Sequence, residues 1–83
     1  MPNPALSTAL NLLIGRLSDE TWTECDTLNE CDEGEAALTL LSTELQDNDV
    51  SITREIYDRL CDAALAQGLG KRAFPLLESL IRD

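Results

Sequence analysis

Residues 35–46, with the sequence Glu-Ala-Ala-Leu-Thr-Leu-Leu-Ser-Thr-Glu-Leu-Gln, decide the fold class of this chain. The segment is bounded by the turn residues Asp-Glu-Gly at 32–34 and by the short polar residues Asp-Asn-Asp at 47–49. Both boundaries compete with helical hydrogen bonding, so we expect a helix from about Glu35 to Gln46. Its apolar positions recur at the spacing of a helix that buries one broad face, namely Ala37, Leu38, Leu41 and Leu45, with Leu40 alongside this face.

Two further helices are predicted on the N-terminal side of this segment. Asn3 can cap a first helix that begins with Pro4 and runs to about Leu17, because proline at the first helical position loses no hydrogen bond. Ser18 can cap a second helix that runs to about Cys31, with carboxylates in its first turn near the positive end of the helix dipole.

On the C-terminal side of this segment, the sequence predicts a fourth helix and a fifth apolar segment. Thr53 is suited to cap the fourth helix, and Gly68 is suited to end it in the left-handed conformation. The fifth segment fits a helix only if Pro75 lies in its first turn. Its apolar residues fall on one face, namely Phe74, Leu77, Leu80 and Ile81.

These elements predict an all-α fold, a compact single-domain bundle of four to five short helices over residues 1–83. Sixteen leucines against three aromatic residues and one valine favour helices over a β-rich fold. The expected core contains Leu10, Leu13, Leu38, Leu41, Leu45, Tyr57, Leu60, Leu65, Leu77 and Leu80.

The charge of the chain is concentrated in its middle. The net charge is -10, and no Lys or Arg occurs between Arg16 and Arg54. A field this lopsided destabilises the compact state through self-repulsion, whereas it would attract a cationic partner. The interval holds eleven carboxylates, namely Asp19, Glu20, Glu24, Asp26, Glu30, Asp32, Glu33, Glu35, Glu44, Asp47 and Asp49.

We therefore predict a partner-binding surface made by the second helix and the neighbouring turns. A solvated acidic face that serves only solubility is the alternative that the sequence leaves open. The predicted binding residues are Glu20, Glu24, Asp26, Glu30, Asp32, Glu33, Asp47, Asp49 and, at the edge of the surface or beneath it, Trp22.

Composition argues against catalysis and against binding of nucleic acid. The chain has no histidine, so a Ser-His or Cys-His nucleophile pair is impossible, and we expect neither an enzyme nor a cofactor or metal site. Contact with phosphates requires basic residues, of which there are six against sixteen acidic ones.

The sequence also bears on the compartment. The N-terminal region lacks a basic segment before its apolar run, so we predict neither a signal peptide nor a membrane span, and the expected location is the cytoplasm. Three cysteines suit a reducing compartment, and we expect Cys25, Cys31 and Cys61 to be small buried side chains that stay reduced and inert.

Three segments within residues 12–57 resemble a known family. They are Leu-Leu-Ile-Gly-Arg-Leu-Ser at 12–18, Glu-Gly-Glu-Ala-Ala-Leu-Thr-Leu-Leu at 33–41 and Ile-Thr-Arg-Glu-Ile-Tyr at 52–57. In order and spacing they are similar to the MafI-like immunity proteins of bacterial polymorphic toxin systems. The chain departs from the family at Ala36, where a Tyr or Phe is usual, and its tail around Phe74 has no counterpart.

The resemblance implies a single helical immunity-type domain that acts as a cytoplasmic antidote, or antitoxin. Such a protein binds the toxic C-terminal domain of a cognate toxin, often a nuclease, and inhibits it. The charge points the same way, because nucleases that approach phosphates are commonly basic. The alternative is a small acidic helical adaptor or regulatory domain that binds a basic protein partner without inhibiting an enzyme.

Overall fold

The computed structural model describes residues 2–69 and 77–82, and it confirms the predicted all-α class. In chain order the α-helices are α1 (Pro4–Leu12), α2 (Asp19–Glu30), α3 (Gly34–Asp47) and α4 (Arg54–Ala66). A 3₁₀ helix follows over Leu77–Leu80. Helix α3 lies within one residue of its predicted bounds at each end.

The helices pack in two pairs around one core. The most extensive contacts join α2 to α3 and α1 to α4, while α1 packs less extensively on α2, and α3 less extensively on α4. Neighbours in sequence therefore pack together as predicted, but the partner of α1 is mainly α4. The fully buried large side chains include Leu6, Leu10, Leu13, Leu38, Leu41, Leu45, Ile52, Ile56, Leu60 and Leu77.

The helices begin where the capping residues predict. Asn3 Oδ1 accepts hydrogen bonds from the amides of Ala5 and Leu6 at 3.1 and 3.2 Å. The hydroxyl oxygens of Ser18 and Thr53 accept from amides three residues further on, at 3.2 and 3.1 Å. Each cap satisfies one or two amides that have no partner within the helix, which confirms all three predicted caps.

Helices α2, α3 and α4 end with the same hydrogen-bond pattern. In each, the residue after the C-cap adopts a left-handed conformation, and two successive amides donate back to carbonyls in the last turn. This is the Schellman motif. Gly68 ends α4 with a φ of 79°, as predicted, whereas Asp32 ends α2 at 62° and Asp49 ends α3 at 49°.

The predicted end of α1 is wrong. The helix stops at Leu12 rather than near Leu17, and residues 13–16 form consecutive turns. Gly15 adopts a φ of +86°, which a helix cannot contain and which glycine adopts without strain. The reversal returns Leu17 to the core but leaves Ile14 67 % exposed.

Two predicted core residues are not buried. Leu65 is 54 % exposed, and Tyr57 is only half-buried. Leu65 lies nine residues after the buried Ile56, which is about two and a half helical turns, so the two side chains lie on opposite sides of α4. The buried stripe continues instead through Leu60 and Ala64.

The structure describes only the C-terminal part of the fifth segment. Its described part is one turn of 3₁₀ helix that buries Leu77 and Leu80. The chain then extends, and Ile81 forms a parallel β-bridge with Ile52. Phe74 and Pro75, which the sequence places in this segment, lie outside the described residues.

Candidate interaction surface

The exposed side of α2 carries the predicted acidic residues. Glu20, Glu24 and Glu30 are exposed, and Asp26 is partly exposed. In the described part of the chain, none of these carboxylates takes part in an ion pair or a side-chain hydrogen bond. We define the acidic face as the acidic residues of α2 after Asp19 together with those of the turn that follows the helix, namely Glu20, Glu24, Asp26, Glu30, Asp32 and Glu33.

The spacing of these charges opposes folding. Glu20 and Glu24 are four residues apart on α2, and so are Asp26 and Glu30. Like charges at this spacing destabilise a helix by roughly 0.2–0.5 kcal/mol per pair. Solubility requires net charge but not this spacing, so solubility alone does not account for these two pairs.

The inner side of α2 is fixed by a buried amide network. The Asn3 amide donates to Asn29 Oδ1 at 2.9 Å, and Asn29 Nδ2 donates to Ser7 Oγ at 2.9 Å. Asn3 Nδ2 in turn donates to the carbonyl oxygen of Ala63 in α4 at 2.9 Å. The network joins α1, α2 and α4, so the outer carboxylates are displayed on an anchored helix.

The turn after α2 extends the acidic face. Asp32 and Glu33 are both exposed. The Asp32 amide donates to the Asn29 carbonyl at 3.2 Å, and the Glu33 amide donates to the Leu28 carbonyl at 2.8 Å. Glycine is the common residue at the left-handed position of this motif, and aspartate adopts it less readily. Asp32 thus places a carboxylate on the surface at a position where folding alone favours glycine.

The second acidic cluster, Glu44, Asp47 and Asp49, differs because the fold uses two of its members. Glu44 accepts hydrogen bonds from the Ser18 amide at 2.9 Å and from Thr21 Oγ1 at 2.6 Å. The Thr21 hydroxyl, followed by the Ser18 amide, lowers the pKa of Glu44. Asp49 forms an exposed ion pair with Arg82 at 3.1 Å. Asp47 is exposed.

Sequence reasoning missed the structural role of Glu44. It lies in α3, yet it binds the start of α2, where the free amides and the helix dipole favour an anion. One signal for this role was available in the sequence. Glu44 is a carboxylate with no cationic residue near it in the sequence, and its helix packs against the start of another helix.

Trp22 lies beside the acidic face and is half-buried. Its indole Nε1 donates to the carbonyl oxygen of Leu10 at 2.6 Å, which fixes the ring against α1. The ring lines a cleft of about 250 Å³ together with Ile14, Gly15, Leu17, Asp19 and Thr23. The distribution of charges along the sequence gives no sign of this cleft, because the cleft depends on the early end of α1.

All three cysteines were predicted to be buried. Cys25 is buried and Cys61 is half-buried, but the prediction is wrong for Cys31, which is exposed at the C-cap of α2. Cys31 follows Cys25 by six residues, about one and two-thirds helical turns, and so lies on another side of the helix. Burial, with smaller contributions from the charges of Glu24 and Glu44, raises the pKa of the Cys25 thiol to about 11.

Over residues 2–69 and 77–82, no group of three or more Cys, Asp or Glu side chains is arranged to hold a metal ion. Within the same residues, no helix has both the length and the apolar character needed to span a bilayer. No protein-family model, curated protein or solved structure matches this chain.

Proposed function

We propose that this protein is an immunity protein that binds and inhibits the toxic C-terminal domain of a cognate polymorphic toxin. The observation that carries the proposal is the set of exposed α2 carboxylates that have no cationic partner among the described residues. The resemblance of residues 12–57 to the MafI-like family supports it. The site of action in this proposal is the bacterial cytoplasm.

Electrostatics supports a basic partner. A cationic domain approaching the acidic face is attracted over roughly 8 Å at physiological salt, which raises the association rate. A nuclease-like toxin presents such a surface, because its substrate is a polyanion. Inhibition then follows if the antidote occupies the surface that the nucleic acid would use.

The anchoring of α2 supports the same proposal. Asn29 is buried and hydrogen-bonded to Asn3 and Ser7, and Glu44 holds the first turn of the helix. The carboxylates therefore need little ordering of the backbone on binding. Preorganisation of this kind reduces the entropic cost of association.

The test compares two double charge reversals. The first variant, Glu20→Lys with Glu24→Lys, changes the acidic face. The control, Glu55→Lys with Asp62→Lys, makes the same change in net charge on α4. Each pair has one carboxylate in the first turn of its helix and one exposed carboxylate further along, so the helix-dipole costs are matched.

The proposal predicts that a large toxin is encoded directly upstream of this protein, and the C-terminal domain of that toxin is the partner used in the test. We expect the acidic-face variant to keep its helical signal, to associate more slowly, to show a smaller salt dependence of the association rate and to fail to protect cells that express the toxin. The control should protect. Full protection and unchanged association by a folded acidic-face variant would reject the proposed surface. Binding without inhibition would instead support the adaptor function.

A further inference from the structure

The cleft between Ile14 and Trp22 is a built feature of the surface. Ile14 and Leu65 are the two large hydrophobic residues that are exposed in the described part of the chain. Leu17 is only 6 % exposed and Trp22 is half-buried, so Ile14 lies at the mouth of an apolar recess. The volume of about 250 Å³ is below the range of roughly 300–1,000 Å³ for small-molecule sites and suits a single large side chain.

The walls of the cleft are held in place before anything binds. Trp22 forms one wall of the cleft, and the hydrogen bond of 2.6 Å from its Nε1 to the Leu10 carbonyl oxygen holds the ring in place. The left-handed Gly15 holds Ile14 outside the helix, and the space beside Gly15 is open. Apolar recesses that become desolvated in a complex are where anchor side chains contribute most to affinity.

The charges around the cleft indicate what occupies it. Asp19 lines the cleft, and Glu20 follows it in the first turn of α2. A second copy of the chain would bring another net charge of -10 to this surface, so like-charge repulsion opposes self-association. A cationic partner is favoured by the same field.

We propose that the Ile14–Trp22 cleft receives one large apolar side chain of the partner protein, flanked in the partner by Lys or Arg residues that pair with Asp19 and Glu20. The inference rests on the proposed function, because it assumes a cationic protein partner. In this arrangement the cleft supplies most of the binding affinity, whereas the acidic face attracts the partner from a distance. The recognised chemistry is thus a basic segment with an apolar centre.

The experiment uses the isotope-labelled full chain and two peptides of equal charge, Lys-Arg-Phe-Arg-Lys and Lys-Arg-Gly-Arg-Lys. We expect the phenylalanine peptide to bind at least about fivefold more tightly, because it buries an aromatic ring. Its binding should shift the backbone amide signals of residues 14–17 and the indole signal of Trp22 in nuclear magnetic resonance spectra. The glycine peptide should leave these signals in place.

Two variants test whether the preference for the phenylalanine peptide arises in the cleft. Ile14→Ser should abolish the preference for the phenylalanine peptide without lowering the melting temperature, since Ile14 is 67 % exposed. Leu65→Ser, at 54 % exposure on α4, is the matched control and should keep the preference. The comparison of the two peptides on the unmodified chain tests the cleft independently of either variant.

Equal binding of the two peptides would overturn the inference, and so would a preference that survives Ile14→Ser. Absence of binding by either peptide would overturn it as well, while the protection assay with Glu20→Lys and Glu24→Lys would still decide the proposed function. A dimer in sedimentation that dissociates in Ile14→Ser would assign the cleft to self-association and reject a cationic occupant.

Discussion

Replacement of Glu44 by alanine removes the side chain that ties α3 to the first turn of α2. A hydrogen bond to a charged group contributes about 1.5–3 kcal/mol when shielded from water. An anion at a helix N-terminus adds about 0.3–1 kcal/mol. Glu44 is partly exposed, so solvent screening reduces both contributions, and we expect Glu44→Ala to lower the free energy of unfolding by about 1–2 kcal/mol.

The effect should depend on pH in a defined direction. The pKa of Glu44 is lowered in the folded protein from its ordinary value of 4.5, so the unfolded chain takes up the proton first as the pH falls. The contribution of Glu44 is therefore complete above about pH 4.5 and is lost as the pH falls through the folded pKa. The difference between the unmodified protein and Glu44→Ala should shrink in acid.

Urea unfolding followed by circular dichroism, at pH 7 and at decreasing pH, measures this difference. Glu55→Ala is the control, because Glu55 lies in the first turn of α4 but has no side-chain hydrogen bond or ion pair among the residues described. A loss for Glu44→Ala no larger than that for Glu55→Ala at pH 7, or a difference that grows in acid, would refute the assigned role.

Three further predictions follow from burial and backbone geometry. Leu41→Ala should lower the free energy of unfolding by about 2–5 kcal/mol in urea titrations, because Leu41 is fully buried in α3; a loss below 1 kcal/mol would contradict its place in the core. Mass spectrometry after brief exposure to a thiol reagent should find Cys31 modified and Cys25 unmodified until denaturant is added, since only Cys31 is exposed; early labelling of Cys25 would be the contrary result. Gly15→Ala should cost about 1 kcal/mol in thermal unfolding through its left-handed φ of +86°, and a neutral or stabilising effect would show that the turn relaxes.

The helix starts could be predicted from the sequence because their causes are local. Asn3, Ser18 and Thr53 each bond amides two or three residues away, so capping chemistry is visible in a short window. The amide network of Asn29 could not be predicted in this way. Its partner Asn3 lies 26 residues away, and only the packing of α2 on α1 brings them together.

The errors in the predicted core have the same origin. Apolar periodicity identified α4 but not which of its leucines faces inward, so Leu65 was placed in the core although it lies opposite Ile56. Ile14 falls within the predicted bounds of the first helix, Pro4 to about Leu17, but that helix ends before it, at Leu12. In both cases the local pattern was apolar, and the path of the neighbouring chain decided the exposure.

The acidic site could be predicted only as a set of charges. Sequence alone does not distinguish Glu44, which the fold uses at the start of α2, from Glu24, which has no partner among the described residues. This difference in hydrogen bonding separates the acidic face from the second acidic cluster. It can be seen only once the packing of α2 against α3 is known.

The fixed position of Trp22 also gives the protein an internal optical reporter. Trp22 is the sole tryptophan of the chain, so the emission excited at the red edge of indole absorption comes from one environment. That environment combines a hydrogen bond to Leu10 with the open side of the cleft. Changes in emission wavelength or quenching by iodide therefore report on the contact between α1 and α2 and on access to the cleft, without any attached dye.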